Sequence, residues 1–262
     1  MGLKQLYHAV VPESVRYPIG RYRRGAIDRW IRWREPTPLP PRHLLQSVQM
    51  TPWVWEFLDV GRASALAVQR ELQAGGLAPD ATHRVLDFGC GLGRTLRFLS
   101  HLPWHLAGCD VDTRSIDWLR RAMPDLEILP NEQDPPLPWP DGAFDGVFAI
   151  SVFTHFDAGQ QRQWAREIAR VLRPGGTAAV STMGPHAFGG FPNLSTPENE
   201  RQLTDEGFLF HPGGEAFNAR GAFHTREGVE EVFRPHLDLI RWTSGGVDGF
   251  QDLSLLVKPP SP

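Results

Sequence analysis

Between His83 and Thr182 the apolar residues follow a repeating order: a short continuous run, a stretch with spacings of three and four, then another run. Continuous runs predict strands buried on both faces, and three-four spacing predicts helices with one buried stripe. Strands are expected at 85–87, 105–110, 126–129, 144–150 and 177–182, with two more at 237–242 and 253–257. A helix over 53–72 would bury Phe57, Leu58, Gly61, Ala65 and Leu72, and one from about Gly93 is marked by Leu92, Leu96 and Leu99 at spacings of four and three. Thr113, Asp157 and Thr225 are placed to cap three further helices. Pro124 would end the first of these, and Pro174-Gly175-Gly176 the second, whose inward face carries Trp164, Ile168, Val171 and Leu172. Val229, Val232 and Phe233 mark the inward face of the third.

Such alternation predicts an α/β fold: a doubly wound, mostly parallel sheet with helices on both faces. Ligands of these sheets bind beyond the carboxyl ends of the strands, where strand order reverses. The rhythm breaks after Met183. Residues 184–222 are rich in glycine and proline with little apolar periodicity, which predicts an irregular substrate-side insert or lid.

Residues 1–50 read as a separate basic, proline-rich extension, and 51–262 as the main domain. Prolines keep Glu35–Pro41 out of helix. Ahead of it, Ile27, Trp30 and Ile31 share one helical face among arginines. Charge changes the picture here. The chain carries -3 overall, yet residues 1–34 hold eight basic side chains against two acidic ones, a net of +6. An amphipathic arm over 21–34, bearing Trp30 and Trp33, is a candidate contact for a membrane surface or a phosphate-bearing substrate. The rest is net acidic, which argues against nucleic acid as a partner. The two cysteines, Cys90 and Cys109, form neither a disulfide framework nor a zinc pattern, so no metal is expected. No signal-peptide core or membrane-length apolar run is read, and a cytoplasmic setting is expected.

The segment VLDFGCGLGR (85–94) carries the chemistry. It reads as strand, D-x-G-x-G-x-G turn, helix. Glycines permit a turn too tight for a Cβ and let a ligand approach the backbone. A nicotinamide dinucleotide site wants G-x-G-x-x-G, but the third glycine falls one residue early and position 94 is Arg. Asp87, directly before the turn, would repel a pyrophosphate and suits an ammonium group. S-adenosylmethionine has an ammonium and a sulfonium and no phosphate. Asp110, at the end of the second strand, stands where a carboxylate holds a ribose diol. That feature alone indicates adenosine without saying which.

Four segments together resemble the class I S-adenosylmethionine-dependent methyltransferases: VLDFGCGLGR (85–94), GCDVD (108–112), LPWPDGAFDGVFAISVFTHF (137–156) and REIARVLRPGG (166–176). The closing GFQDLSLLVK (249–258) is similar to a bacterial subgroup found near carbohydrate genes. The resemblance implies a seven-stranded sheet whose last strand is antiparallel, with S-adenosylmethionine as cofactor. It also implies roles: Asp87, Phe88, Gly89, Cys90 and Gly91 around the methionine part, Asp110 on the ribose and Val111 against the adenine. Asn131 or Glu132 would touch the adenine edge, and the backbone at Ile150 and Ser151 would lie under the methionine.

Methyl transfer mainly requires alignment of nucleophile, methyl and sulfur. A hydroxyl acceptor benefits from a base, and His155, just past the fourth strand, is the candidate. His211 and His224 are further histidines in or near the insert. Phe188, Phe191, Phe208, Phe210 and Phe217 are candidates for acceptor-pocket walls or for a small local core. After the fourth strand the chain reads Ala149-Ile150-Ser151-Val152-Phe153, not the Pro-Pro pattern of DNA base-amino methylation. The expected function is methyl transfer to a small-molecule or carbohydrate acceptor, on oxygen. A nicotinamide-dependent oxidoreductase and a non-catalytic S-adenosylmethionine-binding module are the alternatives.

Overall fold

A computed structural model describes residues 25–49, 51–213 and 220–260. The described residues group into two units, one ending at Asp59 and one starting at Val60. The boundary falls inside a single helix, α3 (Val54–Ala74). Of the sequence expectations, residues 1–24, including the first turn of the 21–34 arm, and Phe217 lie outside the described residues.

The first unit holds helix α1 (residues 25–34), helix α2 (Arg42–Gln49) and the start of α3. Residues 35–41 between α1 and α2 are irregular, as their prolines require.

The second unit is built on a seven-stranded sheet. Its strands are β1 (Arg84–Phe88), β2 (His105–Asp110), β3 (Glu127–Pro130), β4 (Phe144–Ala149), β5 (Leu172–Thr182), β8 (Asp238–Val247) and β9 (Gln251–Val257), in the order β3-β2-β1-β4-β5-β9-β8. The chain runs outward from β1 through β2 to β3, then returns to the other side of β1 as β4. Strands β1 to β5 pair in parallel, and β9 is antiparallel to both its neighbours. The doubly wound sheet with a reversed last strand is the expected one.

Period-two alternation along each central strand divides the core between the two faces. Leu86, Phe88, Val147, Ala149, Ala178 and Val180 belong to one cluster, with Trp164, Ile168, Val229 and Phe233. These last four come from α6 (Ala158–Val171) and α9 (Arg226–Phe233). Val85, Phe148, Ile150 and Ala179 belong to the other, with Val68 and Leu72 of α3, Leu96 and Leu99 of α4 (Leu96–Leu99), and Ile116 and Leu119 of α5 (Thr113–Ala122). Both faces are buried, which is why the strands read as continuous apolar runs.

The helix ends refine the sequence reading. Asp157 caps α6 through a full capping box with Gln160, and Thr225 caps α9. The cap of α5 is Asp112, not Thr113: its carboxylate accepts from the backbone N–H of Arg114. Helix α4 is a single turn from Leu96, because Gly93 has φ +70°, which no right-handed helix accommodates. Helix α6 passes directly into β5, so Pro174-Gly175-Gly176 lies in the irregular start of that strand rather than at the helix end.

The insert is more ordered than its composition predicts. It contains α7 (Pro185–Phe188), α8 (Pro197–Glu206) and a hairpin-like pair, β6 (Phe208–His211) with β7 (Gly221–His224). Met183, Phe188, Leu203, Leu209 and Phe223 give it a small core of its own, with Phe191 against it. The glycines and prolines mark the ends of these short elements.

His224 is buried, with Nε2 2.9 Å from Gln161 Oε1. Gln161 Nε2 points at the carbonyls of Phe153 (3.4 Å) and Phe156 (3.1 Å), so Oε1 is the acceptor and His224 Nε2 carries the proton. Burial holds this imidazole down at about 3. The folded value lies below that of the unfolded chain, so the unfolded chain takes up a proton that the folded one refuses. The stabilisation is complete above about pH 6.5 and is lost as pH falls toward about 3. Urea unfolding between about pH 6 and pH 4 should therefore show a stability slope steeper, by up to about 1.4 kcal/mol per pH unit, than in His224→Gln. Equal slopes would contradict a buried neutral His224.

Candidate cofactor site

The carboxyl ends of β1, β2 and β4 meet where the strand order reverses, and the expected site residues converge there. After Phe88 the chain enters a turn in which Gly89, Gly91 and Gly93 have φ of +80°, +51° and +70°. At Gly89 the need for glycine is also steric: a Cβ would lie 2.4 Å from Val152 Cγ2. The turn is closed from beneath by Cys109, whose carbonyl accepts from the N–H groups of Gly89 and Cys90, each at 2.9 Å. Gly61 of α3 lets that helix pack on the turn, since a Cβ there would lie 2.3 Å from the carbonyl oxygen of Arg94.

Asp110 anchors the other side. Its Oδ2 accepts from Gly91 N–H and its Oδ1 from Asp112 N–H, both at 2.8 Å. Val111 N–H is a third backbone donor to this carboxylate, and its two oxygens, with two lone pairs each, still have room for a further donor such as a ribose hydroxyl. Asp87 is buried at the end of β1. Burial pushes its carboxyl well above the usual carboxylate range, Asp110 adds repulsion, and Arg94 opposes both. Burial also raises Asp110, against the pull of its backbone donors. Two carboxylates held this close favour a cation between them.

Val111 projects outward beside Asp110, 49% exposed, an unusual position for a large apolar side chain at the edge of a cleft. Asn131 N–H donates to the Asp110 carbonyl (3.2 Å), which brings the loop after β3 to the same place. Asn131 Oδ1 is buried with no partner, while its Nδ2 donates to the Glu132 carbonyl at 2.7 Å. A buried acceptor left unpaired is costly, and the amino edge of an adenine would satisfy it. Glu132 itself is exposed.

Not every expected residue offers its side chain. Phe88 packs into the core against Trp164, with ring centroids 4.5 Å apart. Cys90 and Ile150 lie in the opposite core cluster. Of all three, only the backbone is left to face the cleft. Cys90 and Cys109 are buried free thiols whose ionisation burial disfavours, as small core residues should be.

Ser151, two residues past the end of β4, has φ 62°, a left-handed conformation rare for a serine. A closed ring of hydrogen bonds holds it there. Its N–H donates to Ser181 Oγ (2.8 Å), Ser181 Oγ donates to Gln251 Oε1 (2.7 Å), and Gln251 Nε2 donates to Ser151 Oγ (2.7 Å). Arg94 Nη2 reaches the same Oγ at 3.5 Å. Ser181, Gln251 and Arg94 escaped the sequence reading. The available signal was the polar pair Gln251-Asp252 opening an otherwise apolar strand.

His155 lies in a single 3-10 turn, Phe153–His155. It is half-buried, and its Nδ1 donates to the Arg220 carbonyl at 3.0 Å, which puts the basic lone pair of the neutral ring on Nε2. Burial lowers its pKa from 6.5. His211 is exposed on β6 and His224 is sealed in the interior.

Known proteins place this geometry. Residues 85–176 match the family described as a methyltransferase domain. A Mycolicibacterium smegmatis protein named "Probable S-adenosylmethionine-dependent methyltransferase" is 31% identical over 160 residues, covering 58% of this chain and 59% of its own. The Bos taurus "Probable tRNA methyltransferase 9B" is 36% identical over 97 residues, covering 37% of this chain and 20% of its own. The chain thus spans less than two thirds of either relative. In fold it is similar to a Burkholderia thailandensis 1,6-didemethyltoxoflavin-N1-methyltransferase with bound S-adenosylhomocysteine, at 15% identity and a TM-score of 0.56, over 85% of this chain and 92% of that one. Residues 85–176 thus match a methyltransferase domain, in a fold shared with S-adenosylmethionine-dependent methyltransferases, and S-adenosylmethionine is the cofactor that this match supports. This displaces the nicotinamide-dependent alternative.

Two substitutions test the site. Asp110→Ala should weaken S-adenosylhomocysteine binding by about 1–3 kcal/mol in isothermal titration, the range for hydrogen bonds lost from a charged group. Gln251→Ala opens the ring around Ser151 and should lower the same affinity by about tenfold, with unfolding stability reduced by no more than about 1–2 kcal/mol. Unchanged affinity in either variant would remove that residue from the site.

Proposed function

We propose that this chain catalyses methyl transfer from S-adenosylmethionine to a small-molecule or carbohydrate acceptor, on oxygen, with His155 as the base. The observation that carries the reading is the pair Asp87 and Asp110 across a glycine turn. It suits a ligand with an ammonium and a ribose diol and no phosphate. When bound, the cofactor supplies a methyl group on a sulfonium that is already a good leaving group.

The chain's own residues then have limited work. Asp87 faces the ammonium. Asp110 receives the ribose hydroxyls, Val111 covers one side of the adenine, and Asn131 Oδ1 accepts from its amino edge. The backbone at Ile150 and Ser151 supports the methionine part. His155, with its proton on Nδ1, offers Nε2 to an acceptor hydroxyl and removes that proton as the oxygen is methylated. Its lowered pKa keeps the ring neutral at physiological pH, the form a base requires.

The insert, ordered by its own core, would form the acceptor side of the cleft. The similarity of the carboxyl-terminal GFQDLSLLVK to a subgroup associated with carbohydrate genes supports a glycan or small molecule. The net acidic charge beyond residue 34 weighs against nucleic acid, although one relative bears a tRNA methyltransferase name. A cytoplasmic setting fits this reading, and among the described residues no helix is long and apolar enough to cross a membrane. The basic amino-terminal stretch would bring the domain to a membrane or phosphate-bearing surface.

Labelled S-adenosylmethionine incubated with the protein and host extracts should mark a small molecule or glycan, with the label on an ether oxygen. His155→Ala should slow transfer by about a hundredfold or more with cofactor affinity unchanged. The acid limb of the pH-rate profile, expected below pH 6.5, should vanish with it. Full activity in His155→Ala removes the base. Cofactor binding without transfer to any extract component points to a non-catalytic binding module.

A further inference from the structure

Helix α1 turns a fixed side inward. Asp28 is buried at 1% exposure, and its Oδ2 accepts from Arg32 Nε (3.1 Å) and Arg42 Nη2 (3.3 Å). Its Oδ1 accepts from the backbone N–H of Val54 at 2.9 Å. These bonds fix the rotation of the helix. At about 100° per residue, the side opposite Asp28 is centred on Ala26, Trp30 and Trp33. Arg29 flanks it on one edge, and Arg34 and Ile27 on the other. Exposure agrees: Trp33 is 81%, Trp30 57% and Ile27 49% exposed. The Arg34 guanidinium lies 5.3 Å from the centroid of the Trp30 ring. The outward arc holds two arginines and no carboxylate.

The sequence reading grouped Ile27 with Trp30 and Ile31. The structure instead sets Ile31 toward the Asp28 side and leaves the two indoles outward. Indoles prefer the headgroup layer of a bilayer, where the ring is shielded and its N–H stays wet. Arginines beside them reach lipid phosphates while their stems stay apolar. The net +6 of residues 1–34 adds longer-range attraction to an anionic leaflet. Pairing two copies through this face would bring like charges together.

We propose that the Trp30–Trp33 face of α1 docks on an anionic lipid surface, with the indoles at headgroup depth and Arg29 and Arg34 on lipid phosphates. This deepens the reading of the basic stretch as a surface contact and does not depend on methyl transfer.

Flotation of the full chain with phosphatidylglycerol-rich and with pure phosphatidylcholine vesicles tests it. Binding is expected to the first and not the second, weakened by salt and unaffected by free inorganic phosphate. Trp30→Ala/Trp33→Ala and, separately, Arg29→Glu/Arg34→Glu should each lower partitioning by at least about tenfold. Both variants should keep S-adenosylhomocysteine affinity, which shows that they fold. No binding at low salt overturns the proposal, as does equal binding to neutral vesicles or full binding by the tryptophan variant. Competition by phosphate would assign the arginines to a soluble anion, and a dimer lost in the tryptophan variant would assign the face to a second copy; either also overturns it. Loss of cofactor binding by the native chain would instead strike the methyltransferase reading and leave this one standing.

Discussion

The hydrogen bond from the Gly91 N–H to Asp110 Oδ2 joins the two halves of the cleft. It binds the turn after β1 to the end of β2. Because Cys109 holds Gly89 and Cys90 from the same strand, the turn has little freedom. The consequence is electrostatic as well as geometric. Asp110 is kept beside the buried Asp87 and makes that residue's charge more costly. A cleft that keeps two carboxylates at such a cost is shaped for a cationic ligand, and the left-handed glycines give that ligand access to the backbone.

The opposite wall is held by a different device. Ser151 stays in a strained conformation because three side-chain hydrogen bonds close around it, one of them from the reversed last strand. Strain of this kind persists where the surroundings over-determine it, and it concentrates at functional sites. The antiparallel strand β9 therefore does more than join β5 to the edge strand β8. Its first residue, Gln251, reaches the end of β4 across β5. The insert likewise has a defined shape, set by the small local core that was one of the two readings of its phenylalanines.

What was legible in the sequence follows from how local the cause is. The sheet was legible because strands buried on both faces must be apolar throughout, and Asp157 and Thr225 because a cap acts within one turn. The tight glycine turn, with Asp87 before it and Asp110 beside it, was legible because such a turn demands glycine in sequence and the carboxylates sit at strand ends. The ring of Ser151, Ser181 and Gln251 was not, since its members are up to 100 residues apart. Nor was the rotation of α1, which depends on Arg42 and Val54 finding a buried Asp28. The insert was misread because short helices and strands stabilised by a local core leave little periodicity to detect.

Crystallography of the chain with S-adenosylhomocysteine would test the central claim most directly. The ribose should sit on Asp110 with the amino group facing Asp87 and the adenine between Val111 and Asn131. Density for the ligand elsewhere, or a cleft that takes a pyrophosphate instead, would contradict it.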